Sequence, residues 1–256
     1  MNIFQVVILA IIQGLTEFLP VSSSGHLVIM QKLLGFPFAP VAFDVLLHFG
    51  SLIAIVIFLR KSLVDLVFKW KKNLDLITLI LVGSIPAAFF GFLFKKPLEN
   101  SFDSLRLVAI SYLVTAILLF STKLFQPQLD KKEKSLKEVK ILDAVKVGLF
   151  QALAILPGIS RSGATIVAGL WSGLSATAAF TFSFFLAIPA ILGASFLEFP
   201  KMLEQSSGWG FGLLGMMISA VTSYFAIKAL EKVLQYKKFF LFGWYCLSLC
   251  LLLLLK

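Results

Sequence analysis

Gln13–His26 reads QGLTEFLPVSSSGH, and Pro157–Thr165 reads PGISRSGAT. Each stretch drops ionisable side chains and a Pro/Ser/Gly turn into chain that is otherwise apolar enough to sit in a bilayer. Ionisable groups at that depth are costly, and such residues mark functional sites by default. Glu17, His26 and Arg161 are therefore the first residues to explain. The serines beside each turn supply hydroxyls and peptide N–H groups, which suits a phosphate better than a metal ion.

The surrounding composition sets the solvent. The chain has 256 residues, 59% hydrophobic and 14% charged, with 27 Phe; a soluble domain carries about 25% charged residues. Apolar runs long enough to cross a bilayer recur, which predicts a multi-pass membrane protein in a single integral domain, 1–256. Nothing at the N-terminus reads as a cleaved signal. The net charge of +10 sits mostly in lysine-bearing loops. That points to topology signals and anionic lipid headgroups, not to nucleic acid. Cys246 and Cys250 share one helix face and read as packing residues, with no zinc spacing.

Basic residues cluster in three loops, 60–72, 123–146 and 228–238, which the positive-inside rule assigns to the cytoplasm. Apolar runs near 74–94 and 105–122 return the chain to one side, as do 176–199 and 209–228. The region 141–173 must then enter and leave on the same side. Its midpoint, PGISRSG, is a poor lipid-facing helix, because Pro157 lacks an N–H and the serines compete for backbone bonds. A re-entrant hairpin is the simplest solution, with its irregular backbone buried in protein or lining a cavity. The N-terminus repeats the pattern from the opposite face: helix 3–18, a break at PVSSSG, helix 26–34, and a span near 41–59. Gln13, Pro20 and Ser24-Gly25 parallel Gln151, Pro157 and Ser162-Gly163. The expectation is an all-α inverted-topology repeat of six transmembrane helices and two re-entrant helical hairpins. Repeat 1 runs about 1–125, a cytoplasmic linker about 126–140, and repeat 2 about 141–256. Broken helices of such folds meet near the midplane and aim their N-termini at a ligand.

Gln13 and Glu17 stack on one face of the first helix. Ser22, Ser23, Ser24 and Gly25 follow Pro20, and free N–H groups at a helix start favour an anion. Ser23 and His26 are three apart, which puts a hydroxyl nucleophile and an imidazole on one face if helix has begun. Arg161, between Ser160 and Ser162, offers a planar donor fork matched to phosphate oxygens. Two such turns face to face would build an anion pocket. The competing reading pairs Glu17 with Arg161 as a structural salt bridge. Asp44 and His48 are either supporting partners of the site or a pair satisfying each other. Ser183 either faces the cavity or bonds a backbone carbonyl.

These motifs resemble the undecaprenyl-diphosphate phosphatase family, also called the bacitracin-resistance proteins. QGLTEFLPVSSSGH looks like the family's (E/Q)-x-x-x-E motif with its serine turn and histidine, and PGISRSGAT like its P-G-x-S-R-S-G-A-T motif. FDVLLHFGSLIAI and FSFFLAIPAILGA are similar to further family segments. The resemblance implies hydrolysis of a C55 isoprenyl diphosphate to its monophosphate and inorganic phosphate. It implies a multi-pass protein of the bacterial inner membrane with its site toward the periplasmic or outer face. Glu17, Ser23, His26 and Arg161 are then the catalytic positions. Gln13, Ser22, Ser24, Gly25, Ser160, Ser162, Gly163 and Thr165 are the substrate-binding ones. Where the family has Glu or Gln, this chain has Gln13, which cannot act as a base. One nearby acid, Glu17, does not specify a metal site, so a divalent cation (Mg2+ or Ca2+) is expected to travel with the diphosphate. No organic cofactor is implied; the partners are the polyprenyl diphosphate, membrane lipid and a second copy in a homodimer. Either Ser23 attacks or His26 does. A phosphate or lipid-phosphate transporter would use the same inverted-repeat anion site and is the rival reading.

Overall fold

In the computed structural model, which describes residues 1–35, 41–124, 133–204 and 209–255, the chain is all-α. Among the described residues twelve α-helices follow one another: α1 Ile3–Phe18, α2 Ser23–Leu33, α3 Val41–Phe58, α4 Arg60–Phe68, α5 Leu74–Leu93, α6 Lys95–Ser101, α7 Leu105–Leu124, α8 Ile141–Leu153, α9 Arg161–Trp171, α10 Ala176–Glu204, α11 Trp209–Gln235 and α12 Leu241–Leu254. Four of them, within α5, α7, α10 and α11, are long and apolar enough to cross a membrane. Ile3–Phe18, Phe43–Phe58 and Leu241–Leu254 are shorter apolar helices. Large apolar side chains such as Phe92, Phe196 and Leu252 stand exposed along these helices. The chain is therefore an all-α, multi-pass membrane protein.

The helix ends follow from local chemistry. Asn2 and Gln5 form a reciprocal capping box that starts α1. Pro20 ends it, since Leu19 before the proline is forced to an extended backbone (φ −62°, ψ 146°). The second break differs: Gly158 adopts φ +98°, a conformation open to glycine and strained for other residues.

Three sequence-based boundaries shift. The helix after the first break starts at Ser23, not His26, because Ser22 caps it by accepting a hydrogen bond from Gly25 N. The basic stretch 60–72 is largely helical, as α4 and a 3-10 turn. Lys228 and Lys232 lie on the last turns of α11, not in a loop. Much of the expected linker, 126–132, falls outside the described residues. Its described end is pinned: Lys134 N donates to Gly173 O, Ser175 N donates to Lys134 O, and Lys134 pairs with Asp143 of α8.

Without a strong hydrophobic drive between helices in lipid, close backbone approach and interhelical hydrogen bonds hold the bundle. A Cβ on Gly14 would lie 2.7 Å from Ser219 O, one on Gly50 2.2 Å from Met216 O, and one on Gly148 2.3 Å from Gly83 O. So α1 and α3 press on α11, while α8 presses on α5. Ser51, Ser219 and Ser223 are fully buried and bond one another; Ser219 also bonds Leu47 O, and Ser223 bonds Gly14 O. Below the two breaks, Phe18 stacks on Phe184 (5.1 Å) and Phe184 on Phe180 (4.3 Å).

Gly158 shows how tightly the breaks are held. Thr115 Oγ1 donates to its carbonyl (2.9 Å) and accepts from Ser160 N (3.1 Å). A Cβ there would meet Val108 O at 2.6 Å. Gly158→Ala is expected to cost about 1–3 kcal/mol from backbone strain alone, seen as a lower Tm of the detergent-purified protein.

Candidate active site

The two breaks interlock. Gly158 N donates to Ser22 Oγ (3.1 Å), and Ser162 Oγ donates to Leu19 O (3.3 Å). A Cβ on Gly163 would sit 3.3 Å from the Pro20 side chain, so bulk there would part the elbows. Their local geometries match. Ser22 caps α2 from Gly25 N (3.3 Å) with Ser24 Oγ at 3.3 Å; Ser160 caps α9 from Gly163 N (3.1 Å) with Ser162 Oγ at 3.2 Å. Ser22 holds this post at φ +63°, an uncommon backbone for serine. Such strain persists only where the surroundings over-determine it, and three hydrogen-bonding partners on one hydroxyl do so here.

Because the caps correspond, Ser23 and Arg161 are the first residues of their helices, and both reach Glu17. Ser23 Oγ donates to Glu17 Oε2 (2.6 Å). Arg161 Nη2 donates to Glu17 Oε1 (2.8 Å), with the two side chains 14% and 6% exposed. Gln13 Nε2 donates to Glu17 Oε2 (3.0 Å). The guanidinium lies over the Phe18 ring, 5.9 Å from its centroid. So the acid that neutralises Arg161 comes from the other elbow, and the competing arrangement, a Glu17–Arg161 ion pair, is geometrically present.

That pair does not use the site up. Among the described residues Arg161 Nη1 is buried and makes no hydrogen bond, and neither does Gln13 Oε1. Buried polar atoms are almost always paired, so each exception needs an explanation. A structural salt bridge would be expected to satisfy the whole fork. A free guanidinium nitrogen beside a hydroxyl already bonded to a carboxylate is an arrangement for a further oxyanion.

The remaining candidates fall elsewhere around this centre. His26 does not join Ser23. Its Nδ1 donates to Ser22 O (2.7 Å) and lies 2.9 Å from Tyr112 Oη, while its Nε2 is 2.7 Å from Tyr245 Oη. The Tyr245 ring stacks on it at an interplanar angle of 1°. Shared helix face does not mean shared partner: Ser23 turns to α1, and His26 to α7 and α12. Gly25 lets Tyr112 approach, since a Cβ would lie 2.7 Å from its hydroxyl. Thr165 Oγ1 bonds Arg161 O (2.8 Å) and Ser183 Oγ (2.6 Å), bracing the first turn of α9. Ser183 is thus fully buried and bonds a side chain.

His48 is closer to the centre than its sequence rank. Its Nδ1 is 2.9 Å from Gln13 Nε2 and 3.5 Å from Glu17 Oε2. Asp44, one turn earlier, takes a hydrogen bond from Gln31 of α2. Thr115, Tyr112 and Tyr245 were not singled out by the sequence; each lies in an ordinary apolar helix, and no local pattern marks it. Among the described residues no three His, Cys, Asp or Glu side chains are grouped to hold a metal ion.

Comparison with known proteins agrees with the geometry. Residues 6–252 match the family described as bacitracin resistance protein BacA. A relative from Halothermothrix orenii named undecaprenyl-diphosphatase is 43% identical over 249 residues, covering 96% of this chain and 95% of the relative. Relatives of the same name from Alcanivorax borkumensis and Carboxydothermus hydrogenoformans are 41% and 39% identical, over 91% and 96% of this chain and 92% and 94% of their own lengths. A match across both elbows and all the long apolar helices leaves one conclusion about kinship: the chain belongs to the bacitracin resistance protein BacA family.

Proposed function

We propose that the chain hydrolyses undecaprenyl diphosphate to undecaprenyl phosphate and inorganic phosphate. This recycles the lipid carrier for peptidoglycan and other envelope polymers and lowers sensitivity to bacitracin. The observation that carries the reading is Arg161 Nη1, buried and unbonded at the elbow where Ser23 is hydrogen-bonded to Glu17. The relatives' shared name supports the choice of substrate.

Phosphoryl transfer needs positioning and charge stabilisation more than covalent assistance. Arg161 holds Glu17 with one nitrogen and offers the other to the terminal phosphoryl group. First-turn N–H groups of α2 and α9 add donors and the positive ends of two helix dipoles. Glu17 takes the Ser23 proton as Oγ attacks phosphorus, and undecaprenyl phosphate leaves with the bridging electron pair. Water then clears the phosphoserine. Between the two nucleophiles, the 2.6 Å bond to Glu17 favours Ser23. His26, engaged at both ring nitrogens, serves the reaction by fixing the turn that carries Ser23. Among the described residues Glu17 is the one carboxylate at the elbows, so a divalent cation, Mg2+ or Ca2+, would be held chiefly by the diphosphate's own oxygens and would supply charge neutralisation there.

The matched caps of α2 and α9 support a duplicated, inverted repeat, 1–125 and 141–256 joined by 126–140. So does the exchange of partners, α1 on α11 and α8 on α5. In this reading α3, α5, α7, α10, α11 and α12 span the inner membrane, α1–α2 and α8–α9 are re-entrant, and the site opens to the outer face.

The test is phosphate release from undecaprenyl diphosphate by the detergent-purified protein. An enzyme gives stoichiometric phosphate and lipid monophosphate; a carrier, with no compartments to connect, gives neither. The transporter reading has no support from the relatives' names.

A further inference from the structure

One charged-type side chain at the centre has no role in the steps above. His48 of α3 shares Gln13 with Glu17. The two hydrogens of Gln13 Nε2 go to Glu17 Oε2 (3.0 Å) and His48 Nδ1 (2.9 Å). Nδ1 therefore accepts, and the ring hydrogen is on Nε2, as the network assigns it. The other end of the amide, Gln13 Oε1, is buried without a partner among the described residues. Asp44 Oδ1, one helical turn from His48, is likewise buried without one. Gln13 Oε1 thus stands as a spare acceptor on the amide that already holds the imidazole.

We propose that His48 is a positioning and proton-relay residue of this reaction, acting through Glu17. This rests on the assignment of Ser23 and Glu17 above. When Ser23 attacks, its O–H bond breaks, the proton passes to Glu17 Oε2, and Oγ bonds phosphorus as the bond to the bridging oxygen breaks. Glu17 then hands that proton to His48 Nδ1, 3.5 Å away. A half-turn of the Gln13 amide brings Oε1 to face the new Nδ1–H and gives up the Gln13 bond to Glu17. Glu17, a carboxylate again, keeps its Arg161 bond. In the second half, water adds its hydroxyl to phosphorus and leaves its other proton on the released phosphate. Ser23 Oγ departs as the P–Oγ bond breaks and recovers its proton from His48 through Glu17. No co-reactant beyond water is consumed.

The charges around His48 suit this role. Glu17 faces it from α1, Asp44 from its own helix, and Arg161 of α9 stands beyond Glu17. α11 presents the hydroxyls of Ser219 and Ser223 to this part of α3. A proton arriving on His48 thus finds two carboxylates as counter-charges. The side chain is 34% exposed, so the ring is not locked by packing on every side.

The test is steady-state hydrolysis by His48→Gln, purified in detergent, with His48→Asn as a second variant should Gln disturb folding. Both keep a polar group beside Gln13 but cannot carry a proton. A relay predicts kcat lower by about 10²-fold or more, KM for the lipid within about threefold, and loss of one ionisation from the pH profile of kcat. A kcat within about threefold of wild type overturns the proposal, as does a reduced kcat with a wild-type pH profile, which would be the mark of packing alone. If Glu17→Gln and Ser23→Ala also retain full activity, the assignment beneath it falls instead.

Discussion

Arg161→Ala is expected to lower kcat for undecaprenyl diphosphate by about 10³–10⁵-fold, the range seen when a transition-state arginine is removed from phosphoryl-transfer enzymes. The reason is the fork. Among the described residues Nη2 donates to Glu17 at 2.8 Å, and Nη1 is a buried donor without a partner. Alanine removes both the clamp on the substrate and the alignment of the carboxylate. It also leaves Glu17 with only Gln13 and Ser23 as donors among the described residues. Breaking a buried pair by deleting one partner costs about 3–5 kcal/mol, so a lower Tm is expected beside the kinetic loss. Two further variants separate the effects. Arg161→Lys keeps the charge but not the planar fork, so stability recovers while activity stays well below wild type. Arg161→Ala combined with Glu17→Gln removes the stranded charge, so the Tm rises again and turnover does not. Near-normal phosphate release by Arg161→Ala would remove the phosphate clamp from the mechanism.

Ser23→Ala is the second large effect. Removing a nucleophile that works as a unit with its base costs about 10⁴–10⁶ in kcat. Stability should change little, because Ser22, not Ser23, caps α2 and Glu17 keeps its Arg161 and Gln13 donors. Ser22→Ala should do the reverse. It loses the cap, about 0.5–2 kcal/mol, and the bond from Gly158 N that joins the elbows. Loss of activity with an intact Tm at Ser23, and loss of Tm at Ser22, would separate two adjacent serines by function.

Much of this was legible in the sequence because the membrane makes polar residues conspicuous. Glu17 and Arg161 stand out against apolar chain, and Pro20 and the Pro157-Gly158 pair mark the breaks. The bundle's helices follow apolar run length, and α5 and α7 lie within a few residues of their expected places. What stayed hidden depends on direction. Spacing put Ser23 and His26 on one face, but α1 lies to one side of that face and α7 and α12 to the other. His48 looked like half of a local pair with Asp44 because i, i+4 neighbours are visible in a sequence. Gln13, thirty-five residues away, is not. Tyr245 reaches His26 from 219 residues distant, out of a helix whose composition gives no reason to single it out.

The matched caps have a broader consequence. Both half-helices begin with a serine cap, a serine at the second helical position and a glycine at the third, while the first helical residue differs: Ser23 on α2, Arg161 on α9. In the proposed mechanism one half-helix would supply the nucleophile and the other the charge that steadies the phosphoryl group, with Glu17 between them.

The most direct measurement is the location of covalent phosphate in a rapidly quenched reaction, with parallel acid and alkaline quenches read by peptide mass spectrometry. Phosphoserine survives acid, whereas phosphohistidine is lost there and survives alkali. The account predicts an acid-stable phosphate on Ser23. An acid-labile phosphate on His26, with Ser23 unmodified, would contradict it.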